Sequence, residues 1–259
     1  MEQSLKVVIT GASDGIGAAL ARHYAERGAT LGLIARREDL LQALAASLAG
    51  TVAIYPVDVR DGAATASAAA DFLSRFGRPD IVIANAGVSA GNLTGCSEDV
   101  ETCQWIFDVN VIGMVKTFQP FLESMCADRR GVLVGIASVA GIRGLPGSGA
   151  YCASKAAAIA YLESLRVELR GSGVSVVTLC PGYVRTAMTA HNPYAMPFLL
   201  EADDAARRLA RAIDQRRAYA VVPWQMGLVA RLLRLLPRWM FDRAFANVKR
   251  KPRRTAVTR

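Results

Sequence analysis

Val7-Val8-Ile9-Thr10-Gly11-Ala12-Ser13-Asp14-Gly15-Ile16-Gly17 is a short apolar run that breaks into three glycines and leads at once into the Ala-rich stretch Ala18 to Arg27. The run has the length and branched character of a buried strand, and the stretch after it has helical character. Glycines between a strand and a helix let the backbone approach a pyrophosphate. The helix N-terminus adds free N–H groups and a partial positive charge. The spacing is G-x-x-x-G-x-G, not G-x-G-x-x-G, so the bare pattern also fits a tight turn. Its place at the end of a first strand, close to residue 1, favours the dinucleotide reading.

Outward from this stretch, strand-like and helix-like segments alternate. Apolar runs fall at 7–10, 30–35, 52–57, 81–84, 132–137, 174–180 and 219–222, and short runs of this kind suit strands buried on both faces. Ala-rich helical stretches lie between them at 18–27, 40–48, 63–75 and 156–169. The expected fold is α/β: a doubly wound, parallel, seven-stranded, Rossmann-like sheet in one domain, with a C-terminal amphipathic helical tail. The domain is expected over 1–223 and the tail over 224–259. Ligands of such sheets bind beyond the carboxyl ends of the strands.

The residues at those ends are informative. The second strand runs into Ala35-Arg36-Arg37. An acid there would bind the ribose 2′-OH of NAD, whereas arginine accommodates the 2′-phosphate of NADP. No acid stands at the strand tip, so NADP(H) is preferred over NAD(H); the alternative is that both arginines are merely solvated. Asp58-Val59 follows the third strand and faces the expected adenine edge, and Asn85-Ala86-Gly87 closes the fourth.

Farther along, Tyr151-Cys-Ala-Ser-Lys155 follows Ser138 by thirteen residues. On a helix, Tyr151 and Lys155 share a face. A free tyrosine has a pKa of about 10, and a nearby ammonium lowers it by favouring the phenolate. Such a phenol protonates a carbonyl oxygen during reduction or deprotonates an alcohol during oxidation.

With Thr10-Gly11-x-x-x-Gly15-x-Gly17, Asn85-Ala86-Gly87, Asn110, Ser138, Tyr151-x-x-x-Lys155 and Pro181-Gly182-x-x-x-Thr186 in this order, the chain resembles the short-chain dehydrogenase/reductase family, in its shorter single-domain branch, over about residues 4–223. The resemblance implies an NAD(P)-dependent oxidoreductase that interconverts a carbonyl and a secondary alcohol by hydride transfer. It makes Tyr151 the general acid/base and Lys155 the residue that lowers its pKa and holds the nicotinamide ribose. Ser138 would bind the substrate oxygen, and Asn110 would position a water linking Lys155 to solvent. The implied cofactor residues are Gly11, Ser13, Asp14, Gly15, Ile16, Gly17, Arg36, Arg37, Asp58, Val59, Asn85, Ala86, Gly87, Tyr151 and Lys155. Pro181, Gly182, Val184 and Thr186 would seat the carboxamide. Two positions depart from the family pattern: Ala84 stands where many members have a second asparagine, and Asp14 where NADP-preferring members often carry a basic residue. Nucleotide-sugar epimerase or dehydratase chemistry and a non-enzymatic dinucleotide-sensing scaffold are the alternatives.

Composition narrows the remainder. The five cysteines lack zinc-site spacing and read as reduced thiols, with Cys180 as a small packing group and the Cys152 side chain expected to point elsewhere on the helix than Tyr151. His23 and His191, the only histidines, give no metal site; His23 reads as a packing or surface residue and His191 as a substrate-side candidate. No apolar run approaches the roughly 18 residues of a membrane span, and Met1 to Lys6 leave no room for a signal peptide, so a cytoplasmic protein is expected. The segment 183–200, with Met188, Tyr194, Met196, Pro197, Phe198 and Leu199, is expected to cover an apolar or bulky small-molecule substrate.

The net charge of +9 lies in the tail, which holds ten Lys or Arg and one acid, Asp242. On a helical wheel Leu228, Leu232, Leu235 and Trp239 form a stripe, widened by Val229, Leu233, Leu236 and Met240, with Arg231, Arg234 and Arg238 on another face. Pro237 should divide two short helices. The tail suits an anionic membrane surface, at the inner face of a membrane, with Lys249, Arg250, Lys251, Arg253 and Arg254 adding attraction. It equally suits packing on the domain or across a homodimer or homotetramer. Nucleic acid is not expected, because no basic and aromatic interleaving extends into the domain.

Overall fold

The computed structural model describes residues 4–190 and 192–253. Seven parallel strands form one sheet: β1 (Lys6–Thr10), β2 (Thr30–Ala35), β3 (Val52–Pro56), β4 (Ile81–Ala84), β5 (Gly131–Ile136), β6 (Val174–Pro181) and β7 (Tyr219–Val222). Their spatial order is β3-β2-β1-β4-β5-β6-β7. Each strand lies within a residue or two of its apolar run, because strands buried on both faces need such runs. The order reverses between β1 and β4, which pair through Val7–Ile81, Val8–Val82 and Ile9–Ile83. That reversal opens a crevice at the carboxyl ends of the two strands.

Alternating side chains feed two cores, one on each face. Val7, Ile9, Leu31 and Leu33 pack with Leu20 and Tyr24 of α1 (Gly15–Ala25) and with Leu209 and Ile213 of α7 (Ala202–Asp214). Val8, Ile34, Val82 and Leu133 pack with Phe72 of α3 (Gly62–Phe76), Phe118 and Phe121 of α5 (Gly113–Ala127) and Leu162 of α6 (Gly149–Glu168). Gly32 is needed in β2 because a Cβ there would stand 2.7 Å from the Phe72 ring. The edge of the sheet beyond β2 is flanked by α2 (Glu38–Ser47), and α4 (Asp99–Phe107) joins α5 through a π-helical turn at Asp108–Ile112.

The loops place the helices. Asp14 caps α1 by accepting from the Gly15 N–H at 2.6 Å, and Asp61 caps α3 through the Ala64 N–H at 3.0 Å. Helix α6 begins at Gly149, earlier than the Ala-rich stretch 156–169, and so takes in Tyr151. After β7 come α8 (Trp224–Leu235) and α9 (Arg238–Phe245), divided at Pro237 as expected. Among the described residues no helix is long and apolar enough to cross a membrane.

Candidate active site

A groove with a cavity volume of about 280 Å3 runs along the carboxyl ends of the strands. Gly11, Ser13, Asp14, Gly15 and Ile16 wall it from the first loop, and Arg36, Arg37, Asp58 and Val59 from the tips of β2 and β3. Asn85, Ala86 and Gly87 enter from β4, and Pro181, Gly182, Val184 and Thr186 from β6 and the loop beyond it. The loops touch each other closely. A Cβ on Gly11, whose φ is +64°, would stand 2.7 Å from the Ala86 backbone, and one on Gly15, at +55°, would stand 2.8 Å from the Thr186 methyl. Asn85 locks this junction by donating from Nδ2 to the Thr10 and Gly11 carbonyls at 3.0 and 3.1 Å. A glycine cradle and a helix N-terminus fit the diphosphate of a dinucleotide.

Two residues expected at the site stand behind its walls. Gly17 allows α1 to close on the loop, since a Cβ there would collide with the Gly11 carbonyl and stand 2.6 Å from Asn85 Nδ2. Asn110, fully buried in the π-helical turn, accepts from the Val88 N–H at 2.8 Å. Its Nδ2 donates to the Val88 carbonyl and Ser154 Oγ, both at 3.0 Å. Its side chain thus clamps the loop after β4 to α6.

At the adenosine end the charges are mixed. Arg37 donates to Ser13 Oγ at 3.2 Å and lies 3.8 Å from the Asp14 carboxylate. Burial works to raise the Asp58 pKa, but hydrogen bonds and charge from Arg60, with Arg36 beyond, hold it below the ordinary value. Arg36 has no ion pair of its own among the described residues.

Farther along the groove stand Ser138, Tyr151 and Lys155. Ser138 ends the strand region and caps a short 3-10 turn, Val139–Gly141, by accepting from the Ala140 N–H at 3.1 Å. Asn92 Oδ1 accepts from the Ala150 N–H at 3.0 Å and fixes the first turn of α6, which carries Tyr151. Lys155, 4% exposed, donates to the Ile136 carbonyl at 2.8 Å, and its Nζ lies 6.0 Å from the centroid of the Tyr151 ring. Burial pushes the Tyr151 pKa up to about 12, with the Ser138 hydroxyl pulling the other way. Burial also lowers Lys155 to about 8. Desolvation of the phenol is the largest influence on Tyr151, and the Lys155 ammonium stands off its ring rather than against its hydroxyl. Tyr151 stands protonated at neutral pH, as a proton donor must.

Ser138, Tyr151, Gly182, Met188 and Thr189 also wall a second cavity of about 280 Å3. Val139, Ile142 and Leu145 line one side, and Tyr183, Tyr194 and Pro197 another. Of the residues expected to cover a substrate, Met188, Tyr194 and Pro197 line this cavity, whereas Phe198 is half exposed and Met196 and Leu199 are not in the walls. His191 lies outside the described residues. Cys152 lines this cavity as well, contrary to the expectation that it points elsewhere; burial pushes its thiol pKa up. Cys180 is fully buried, and His23 packs edge-on against Tyr24. Among the described residues no cluster of three His, Cys, Asp or Glu is placed to hold a metal.

The tail supplies the remaining walls. Met226, Val229, Ala230 and Leu233 of α8, with Phe245 and Lys251, close the cavity, while Leu228, Leu232, Leu235 and Trp239 face outward. Of the basic end, Lys251 and Arg253 dock on the domain, and Arg254 lies outside the described residues. The residue pattern offered a partial signal for this, since Val229 and Leu233 flank the apolar stripe. Nothing in it pointed to Lys251.

A doubly wound sheet with a glycine loop at its topological switch, a Tyr–Lys helix and a largely apolar cavity beside them defines a dinucleotide-binding oxidoreductase fold. The sequence matches the short chain dehydrogenase family model over residues 5–196, and the chain belongs to the short-chain dehydrogenase/reductase family. An uncharacterized oxidoreductase of Myxococcus xanthus is 40% identical over 245 residues, covering 93% of this chain and 96% of that relative. A short chain dehydrogenase/reductase from Burkholderia phymatum, solved in complex with NAD, superposes with a TM-score of 0.80 at 28% identity and covers 98% of both chains. An alcohol dehydrogenase from the archaeon Thermococcus sibiricus, solved with 5-hydroxy-NADP, gives a TM-score of 0.76 at 29% identity over 85% of this chain and 96% of that one.

Proposed function

We propose that this protein is an NADP(H)-preferring oxidoreductase that reduces a ketone or aldehyde to an alcohol, with Tyr151 as the proton donor. The observation that carries this reading is the position of Tyr151 and Ser138 on the wall shared by the groove and the apolar cavity. A carbonyl held in the cavity presents its oxygen to these two hydroxyls. Ser138 donates a hydrogen bond that strengthens as negative charge grows on the oxygen. The protonated Tyr151 then delivers its proton, and the Lys155 ammonium stabilises the phenolate left behind. The bound nicotinamide supplies the hydride. Gly11, Gly15 and the N–H groups at the start of α1 would hold its diphosphate, and Thr186 and Val184 its carboxamide end. Arg36 and Arg37 favour the 2′-phosphate, tempered by Asp14 beside Arg37.

The deciding experiment follows NADPH and NADH oxidation across ketones, aldehydes, steroids and acyl thioesters. Turnover with NADPH at higher kcat/KM than with NADH supports the reading. Tight NADPH binding without turnover on any carbonyl would favour a sensing scaffold instead.

A second property concerns the outer face of the tail. Trp224, Leu235 and Trp239 are 70%, 80% and 69% exposed, and Arg231, Arg234 and Arg238 are exposed on the same two helices. We infer contact of this face with an anionic membrane surface, because arginines bordering an apolar stripe with two tryptophans suit an interfacial helix. Full-length protein should float with vesicles containing phosphatidylserine, and a Trp224→Ser/Leu232→Ser/Trp239→Ser variant should not. A concentration-dependent dimer lost in that variant, with no flotation of the wild type, would make the face a self-interface.

A further inference from the structure

The second cavity has mostly apolar walls and two cationic side chains, Arg143 and Lys251. Lys251 donates from Nζ to Ser89 Oγ at 2.9 Å and reaches the Met188 carbonyl at 3.5 Å. No carboxylate among the described residues pairs with it, and none of the cavity walls is an Asp or Glu. An ammonium has three donors, so at least one N–H remains for something in the cavity. Burial alone lowers the Lys251 pKa, with no acidic neighbour opposing it. The other cation on the wall turns one guanidinium nitrogen to the tail. Arg143 donates to the Leu233 and Leu236 carbonyls at the end of α8 and lies 4.0 Å from the Phe241 ring centroid.

A lysine left to itself extends its ammonium into water. Here the chain on both sides of Lys251 is fastened. The Arg250 side chain packs on Gly147, where a Cβ would meet it at 2.9 Å. The Pro252 carbonyl accepts from the Gly91 N–H at 2.8 Å. Arg253 grips the buried Asp99 carboxylate through Nε at 2.8 Å and a second nitrogen at 3.1 Å. Held half-buried without a counter-ion, the Lys251 charge is costly until an anion meets it.

We propose that Lys251 is an anion-recognition residue of the substrate cavity, so that the carbonyl compound taken by this site also carries an oxyanionic group, a carboxylate or a phosphate. The proposal rests on the carbonyl-reductase reading of the same cavity. It makes the tail a specificity element that completes the site.

The test compares straight-chain oxo-acids of increasing ketone-to-carboxylate separation with their methyl esters, and oxoalkyl phosphates with the corresponding alcohols, as NADPH-dependent substrates. Wild-type kcat/KM should favour the best anion over its neutral partner by about tenfold or more, the size of one charge-assisted hydrogen bond. Lys251→Met should erase that ratio by lowering kcat/KM for the anion far more than for its neutral partner, and Lys251→Arg should restore it. Calorimetric titration with saturated carboxylates and alkyl phosphates reads the same loss without turnover and tells which anion the site prefers. Turnover of neutral ketones with no anion preference, or a preference that survives Lys251→Met, would overturn the proposal while leaving the reductase reading standing. No turnover of any compound, with the saturated anions still bound through Lys251, would count against the reductase reading instead.

Discussion

The groove at the strand ends is walled by residues that sit beside their strands in sequence, whereas the cavity across Tyr151 joins segments as distant as Ser89 and Lys251. The groove is set by backbone geometry. Gly11 and Gly15 take left-handed conformations against Ala86 and Thr186, and little variation is tolerated. The cavity is set by side chains from the loops after β5 and β6, from α8 and α9, and from the segment 246–253 beyond, none of which is part of the sheet. A site with one rigid half and one interchangeable half separates the common chemistry from the choice of substrate.

Breaking the rigid half should have the largest effect. Gly17→Val drives a side chain into the Gly11 carbonyl and Asn85, so NADPH binding should be abolished and stability should fall by about 2 kcal/mol or more. Fluorescence titration and a thermal melt read both; wild-type affinity in this variant would show that the loop is not the cofactor cradle.

A smaller effect comes from pH, which acts where the halves meet. Tyr151, raised to about 12, keeps its proton through the working range, while Lys155, lowered to about 8, loses its own within it. Ketone reduction should therefore be level below about pH 8. Above it, the rate should fall by up to about tenfold per unit as the ammonium that stabilises the phenolate is neutralised. A rate that stays level up to the ordinary lysine value would remove Lys155 from the mechanism. The smallest effect is expected at Arg36→Ala. The NADPH-over-NADH preference should drop about tenfold, one charge-assisted hydrogen bond, with kcat on NADPH retained. An unchanged ratio would assign the choice to Arg37 alone.

The same contrast explains what the sequence discloses. Buried parallel strands demand apolar runs and the loop demands glycines, so β1 to β7 were readable to within a residue or two, and the expected cofactor residues other than Gly17 line the groove. The side-chain role of Asn110 was not, because its partners Val88 and Ser154 meet it only through the π-helical turn. The burial that raises the Tyr151 pKa could not be inferred from i, i+4 spacing, which does not encode it. The tail reads as an amphipathic helix under any fold. Which face packs depends on the cavity rim, and the docking of Lys251 and Arg253 depends on Ser89 and Asp99, more than 150 positions away.

The central claim is that a proton passes from Tyr151 to a carbonyl oxygen at the junction of the two cavities. It is tested most directly by Tyr151→Phe, measured for NADPH affinity and for turnover on the best ketone. The expected result is wild-type affinity with turnover reduced by about 100-fold to 10,000-fold. Turnover within a few-fold of wild type would contradict it.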